Sequence, residues 1–429
     1  MVQADATSDI AAALSAGNTA WILTASALVL LMTPGLAFFY GGMVRGKTVL
    51  NMMMMSFISM GVVGVIWVLW GFPMAFGTDV GGFMGNPFDG FGLGNMMTTD
   101  GSAPLTNMAF VAFQATFAII TVALISGAIA DRTKFGAWVA FTGIWITLVY
   151  FPVAHWVWAA EGWIYRLGAI DFAGGTVVHI NAGIAGLALA LVIGKRKGWG
   201  KDPMRPHNLP FVMLGAGLLW FGWFGFNAGS ALAADNTASV VWVNTMAATC
   251  AAMLGWLITE KIRDGKATSL GAASGVVAGL VAITPACSSV SPVGAVVLGL
   301  VAGVVCALAV GLKWKLGFDD SLDVVGVHLV GGLTGTLLIG LLATSAAPAG
   351  VDGLFYGGGL RQLGIQAAAA FAVLGYSLVL TLIIGFAIRL TRGFRVPDEV
   401  ESTGVDLAIH GETAYEALGT GRVAQEVKA

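Results

Sequence analysis

Eleven stretches of this chain are apolar enough and long enough to cross a bilayer, and that constrains the fold more than any other feature. A helix crosses the hydrocarbon with about 20 apolar residues. Runs of that kind lie at approximately 20–41, 49–74, 107–130, 135–156, 173–194, 210–231, 238–260, 270–289, 291–312, 325–346 and 365–389. Within lipid the backbone must satisfy its own hydrogen bonds, so runs of this length read as helices. The expected fold is an all-α polytopic membrane protein. Only 10% of the 429 residues are charged, against about 25% in soluble domains, and a net charge of -2 offers no basic surface for nucleic acid. The lipid bilayer is the expected surrounding, and nucleic acid is not an expected partner.

Loop charge sets the expected orientation. Nineteen of the 21 Lys and Arg residues fall in alternate loops and the tail, while Arg166 and Arg361 alone lie on the opposite side. The N-terminus is therefore expected outside and the C-terminus in the cytoplasm. The opening MVQADATSDIAAALSAGNTA has no Lys or Arg, so it lacks the charged region of a secretory signal, and the first span is expected to be retained. The expected division is an outer N-terminus (1–19), a transmembrane domain (20–389) and a cytoplasmic tail (390–429).

Span five carries an imidazole, and so does span ten. HINAGIAG (179–186) and HLVGGLTG (328–335) share the pattern H-x-x-x-G-x-x-G, and Asp171 and Asp320 each lie eight residues before the histidine. Five spans separate the copies, so they run in opposite directions through the bilayer. This is the signature of an inverted repeat with the pathway at the repeat interface. Repeat one covers about 20–194, repeat two about 210–346, and the helix 365–389 is an addition.

An ionisable group inside a span normally faces the bundle interior and marks a pathway or relay. Neutral imidazole has one donor and one acceptor nitrogen, so two rings edge to edge can share a proton and offer their remaining sites to a small polar solute. Two such neighbours cannot both be charged. Neither histidine has the His-x-x-x-His or Glu-x-x-His spacing of a helical metal site, and neither a metal nor a cofactor is expected. Cys250, Cys287 and Cys306 are scattered in apolar stretches and read as small buried hydrophobes. Small-xxx-small pairs such as Gly275/Gly279, Gly299/Gly303 and Gly331/Gly335 let helices approach closely. Close packing leaves a narrow conduit, hence a small substrate.

In order and spacing, PGLAFFYGGMVRGKTVLN, FQATF, DFAGGTVVHINA, MRPHNLP, WFGFNAGS, TPAC and DVVGVHLVGG resemble the ammonium transporters of the Amt family, from about residue 20 to about 415. That resemblance implies a homotrimer at the cytoplasmic membrane with one conduit per subunit, carrying ammonium or ammonia, and not an enzyme. By position, it places an outer recruitment site on Phe113, Trp158 and Ser230, where an indole face attracts the cation and a hydroxyl accepts its N–H. It stacks Phe117 and Phe226 over the pore and makes His179 and His328 the conducting pair, with Tyr40, Trp223 and Thr284 in support. Asp171 is matched to a buried aspartate near the recruitment site, where it either orients that site or caps a helix; Asp320 and Asp323 read as a helix start. The polar tail resembles one that packs beneath neighbouring subunits and is regulated by PII-type proteins. A neutral ammonia channel, a related Rh-type protein, a sensor, and a hydrolase using Cys287 are the competing readings.

Overall fold

The computed structural model describes residues 2–97 and 105–415, with side chains from residue 12 onward. Asp100, Arg422 and Lys428 lie outside the described residues. Among the described residues, ten helices are long and apolar enough to span a membrane: Ala12–Met43, Val49–Phe76, Asn107–Ile129, Phe135–Leu167, Gly175–Ile193, Leu209–Gly229, Asn236–Asp264, Pro292–Leu316, Val325–Leu342 and Arg361–Thr391. An eleventh apolar helix, Ser269–Ile283, is shorter. In chain order these are spans one to eleven, with Ser269–Ile283 as span eight.

Three boundaries differ most from expectation, the first being span four, which runs on to Leu167 rather than ending near 156, through a break at 159–162. Span eight ends at Ile283 rather than near 289, because Pro285 has no N–H to continue the ladder, although apolarity persists beyond it. The first helix begins at Val2, well before the apolar run, since AAALSA favours helix without being hydrophobic enough to reveal a span. The fold also departs from all-α at one outer hairpin, where Asp79–Val80 pairs antiparallel with Met84–Gly85.

Spans two, four, five and ten each contain a widened π-helical turn: Trp67–Gly71, Ile146–Tyr150, Gly175–Ile180 and Val325–Leu329. Such turns recur at functional sites. Both histidines sit in one. The two glycine motifs pack on each other around them: a Cβ on Gly183 would lie 2.4 Å from the Leu329 nitrogen, and one on Gly332 would lie 3.1 Å from the His179 Cβ. In each copy, the glycine four residues after one histidine makes room for the chain around the other.

On the face carrying most of the basic residues, three loops meet in a buried ion cluster. Arg196 holds Asp319 (Nη2–Oδ1 2.9 Å) and Asp131 (Nη1–Oδ2 3.1 Å), and Arg132 donates to the Asp319 carbonyl and to Ser321. Burial favours the neutral form of Asp319. The Arg196 hydrogen bond and the charges of Arg132 and Arg196 outweigh it and hold the carboxyl below its usual range. The tail folds over this cluster as two short helices, Asp398–Thr403 and Val405–His410. Glu401 takes Arg395 (2.6 Å) and the Lys197 amide (2.6 Å), while Asp406 accepts the Leu50 and Asn51 amides at the start of span two.

Arg196→Met is therefore expected to destabilise the protein by about 3–5 kcal/mol, because it leaves two buried carboxylates undercompensated. Thermal unfolding in detergent checks this. The parent should also lose stability on acidification: a lowered native pKa contributes fully above the unfolded value of about 4 and is lost as pH falls through the native value. Arg196→Met should flatten that acid limb.

Candidate functional site: an aromatic cavity above a buried histidine pair

A cavity of about 150 Å³, at the end of the bundle away from the basic face and called outer on that ground alone, is lined by Trp158, Ser230, Phe117, Phe172 and Gln114, among others. Trp158 is the last helical residue before the chain turns at 159–162. Its indole N–H donates to the Asp171 carbonyl (2.9 Å), so the ring edge is anchored and a π face is left for a cation. Ser230 donates its hydroxyl proton to the Phe226 carbonyl (2.9 Å), which leaves the oxygen lone pairs to accept.

Asp171 bonds both the start of the histidine helix and the wall of the cavity. Its Oδ1 accepts the Gly174 and Gly175 amides (2.8 and 2.5 Å), and its Oδ2 accepts those of Thr176 and Val177 (2.8 and 3.1 Å), with the Thr176 hydroxyl beside them. It thus caps the histidine helix through its carboxylate and orients Trp158 through its carbonyl. Gly174 supplies the entry to that cap at φ +123°, with its Cα facing Val178, a conformation that favours glycine. Asp320 caps the twin helix in the same way, accepting from Val324 (3.1 Å) and Val325 (2.7 Å), whereas Asp323 pairs with Lys313 (2.7 Å).

Phe113 lies directly behind the Phe117 ring, at 4.8 Å between centroids. It is fully buried and is not among the residues lining the cavity. Phe172 and Gln114 line the cavity and were not anticipated. Gln114 carried a signal, being the one amide inside the apolar FQATF stretch; Phe172 had none beyond its place next to Asp171.

Beneath the cavity the Phe117 and Phe226 rings stack at 4.1 Å and 29°. Both are buried, and together they shut the outer cavity from a narrow inner one. The inner cavity, about 10 Å³, is at the lower limit of room for one water and is lined by Trp223, Phe226, His179, His328 and other apolar side chains, with no Asp, Glu, Lys or Arg. The two imidazoles lie nearly coplanar (18°), joined Nδ1 to Nδ1 at 3.3 Å. One proton serves that contact, so one ring donates and the other accepts. The His179 Nε2 is buried with no protein partner, a site for a guest's hydrogen bond.

Of the supporting residues, Trp223 contacts the pair directly. Trp223 stacks on His179 (5.4 Å, 20°) and donates its indole N–H to Thr284 (2.8 Å). Thr284 in turn donates toward Leu280 and Asn227, and Asn227 to Thr245 (2.9 Å). Tyr40 stands outside the cavity lining and bonds the Leu124 carbonyl (3.0 Å). Cys287 is buried and bonds the Thr284 carbonyl, away from both imidazoles' hydrogen bonds.

A family model described as the Ammonium Transporter Family matches residues 20–415. The chain belongs to the ammonium transporter family. An ammonium transporter from Mycobacterium tuberculosis strain H37Rv is 61% identical over 95% of this chain and 92% of that protein, and one from Aquifex aeolicus is 48% identical over 94% of each. Among solved structures, Mep2 of Saccharomyces cerevisiae aligns with a TM-score of 0.81 at 36% identity, covering 89% of this chain and 90% of that one. A structure titled Sensor Amt Protein aligns with a TM-score of 0.85 at 30% identity, covering 91% and 98%. As a member of the ammonium transporter family with ten apolar helices of spanning length, this is a multi-pass membrane protein of a transporter family rather than an enzyme family.

Proposed function

We propose that the protein carries ammonium nitrogen across the cytoplasmic membrane by recruiting the ammonium ion outside and conducting ammonia past the histidine pair. The observation that carries this reading is the contrast between the two cavities: an aromatic face and a hydroxyl acceptor above, a tight uncharged path below, and the Phe117/Phe226 stack between them. Trp158 and Ser230 draw the cation by its charge and N–H groups. An unpaired charge passing the phenyl rings would lose its hydration without replacement, at a cost of many kcal/mol, so the ion gives up its proton to water in the outer cavity before the stack. Ammonia, neutral and small, then exchanges hydrogen bonds with the imidazole nitrogens. The proton follows separately, with the Nδ1–Nδ1 contact as a relay, and transport moves charge. In this reading the pair lies at the interface of an inverted repeat, three subunits form the working assembly, and the folded tail is the surface for a PII-type regulator.

An ammonium jump applied to proteoliposomes tests this. The expected result is a transient inward current together with lumenal ammonium accumulation. A silent membrane that still alkalinises its lumen on an ammonia gradient would replace the proposal with neutral gas conduction.

A further inference from the structure

We propose that Gln366 on span eleven is a positioning residue for the outer cation site; the inference rests on the recruitment reading above. Gln366 is a fully buried amide in an apolar helix. Its Oε1 accepts the Ile170 N–H (2.7 Å) and its Nε2 donates to the Ile170 carbonyl (2.7 Å) and to that of Thr336 (3.3 Å). One side chain thus pairs both backbone groups of one residue, as a neighbouring strand would. Gln362, one turn earlier, supports it by donating to the Gln366 Oε1 (3.1 Å) and to the Gly168 carbonyl (3.2 Å).

The segment held this way has no regular secondary structure from residue 169 to 174, so no ladder fixes it. It nevertheless sets two parts of the outer cavity. The carbonyl of Asp171, next after Ile170, anchors the Trp158 indole, and the ring of Phe172 lines the cavity while its amide donates to the Pro285 carbonyl (3.2 Å). Without the amide, the Ile170 N–H and C=O would be left without their side-chain partner. Buried backbone groups seek partners, so the segment would shift and take the indole with it. An amide inside a helical membrane protein ordinarily bonds across to another helix. Here its two shortest bonds go to the cavity loop, which is what assigns it a role at the site.

The test compares ammonium uptake in proteoliposomes, normalised to folded protein, for the parent, Gln366→Leu, Trp158→Leu and the double variant. Gln366→Leu should raise the half-saturating ammonium concentration roughly tenfold, the scale of one cation–aromatic contact, with the maximal rate within about twofold of the parent. Because Gln366 acts on the indole through the Asp171 carbonyl, the loss in the double variant should fall short of the sum of the two single losses. Gln366→Glu adds a separate readout. Its carboxylate offers no donor to Ile170, whereas the protonated acid restores one donor and one acceptor. Its half-saturation, relative to the parent's at each pH, should therefore improve as the pH is lowered, because burial raises a carboxyl's pKa above its usual value of about 4.3.

A lower maximal rate at unchanged half-saturation in Gln366→Leu, or additive losses in the double variant, would overturn the inference and leave Gln366 a packing residue. Should Gln366→Leu not fold, Gln366→Met, which keeps the side-chain length and removes both bonds to Ile170, takes its place, and a half-saturation equal to the parent's in that variant would overturn it equally. An unchanged half-saturation in Trp158→Leu would instead sink the recruitment reading itself.

Discussion

His179→Ala and His328→Ala should each abolish the current evoked by an ammonium jump, by on the order of 100-fold or more, the usual worth of a positioned proton-transfer group. The reason is geometric. The two Nδ1 atoms lie 3.3 Å apart, and alanine on either side leaves the surviving imidazole with no partner to pass a proton to. The apolar path itself remains, because neither substitution adds bulk or charge between Phe226 and the inner end. Ammonia permeability, read as lumenal alkalinisation on an ammonia gradient, is therefore expected to persist. Loss of current with retained ammonia flux would separate the proton's route from the gas's route. Full current in either variant would remove the histidines from charge movement altogether.

Gly183→Val should fail to yield folded, monodisperse protein in detergent. The obstacle is backbone rather than side chain: a Cβ at that position would lie 2.4 Å from the Leu329 nitrogen and 2.7 Å from its Cα, atoms with no rotamer by which to withdraw. Overpacking a core with flexible neighbours costs about 1–3 kcal/mol; a clash with the backbone beside the partner histidine exceeds that range. Gly332→Val, its counterpart, should be destabilising but milder, since the nearest atoms are 3.1 Å away. Gly217 on span six meets nothing within 4 Å, so Gly217→Ala should fold normally and gain up to about 1 kcal/mol of helix propensity. Size-exclusion profiles of the three variants check the ranking.

Much of this arrangement is legible in the chain, and the failures have physical causes. Ten spans announce themselves because bilayer thickness demands a length no loop shares, and the repeated histidine motif shows because its glycines are needed for close approach. Span eight is misjudged at its end, where hydropathy continues but Pro285 stops the hydrogen bonding. Phe113 and Phe117 are one turn apart on an apolar helix, and composition cannot say which of the two faces the cavity. Asp171 leaves two roles open in sequence because a cap is defined by where a helix starts, which spacing does not reveal. Gln366 escapes notice because the helix that carries it looks like an appendage to the repeat.

The widened turns place a limit on how such a chain can change over time. A residue inserted into or deleted from Gly175–Ile180 or Val325–Leu329 would turn everything beyond it by about 100° around the helix axis. The imidazole would swing off the path while the glycine behind it lost its partner. Side chains along these segments can be exchanged one at a time, but their residue count cannot, so length in these two stretches should be the most slowly varying property of the molecule.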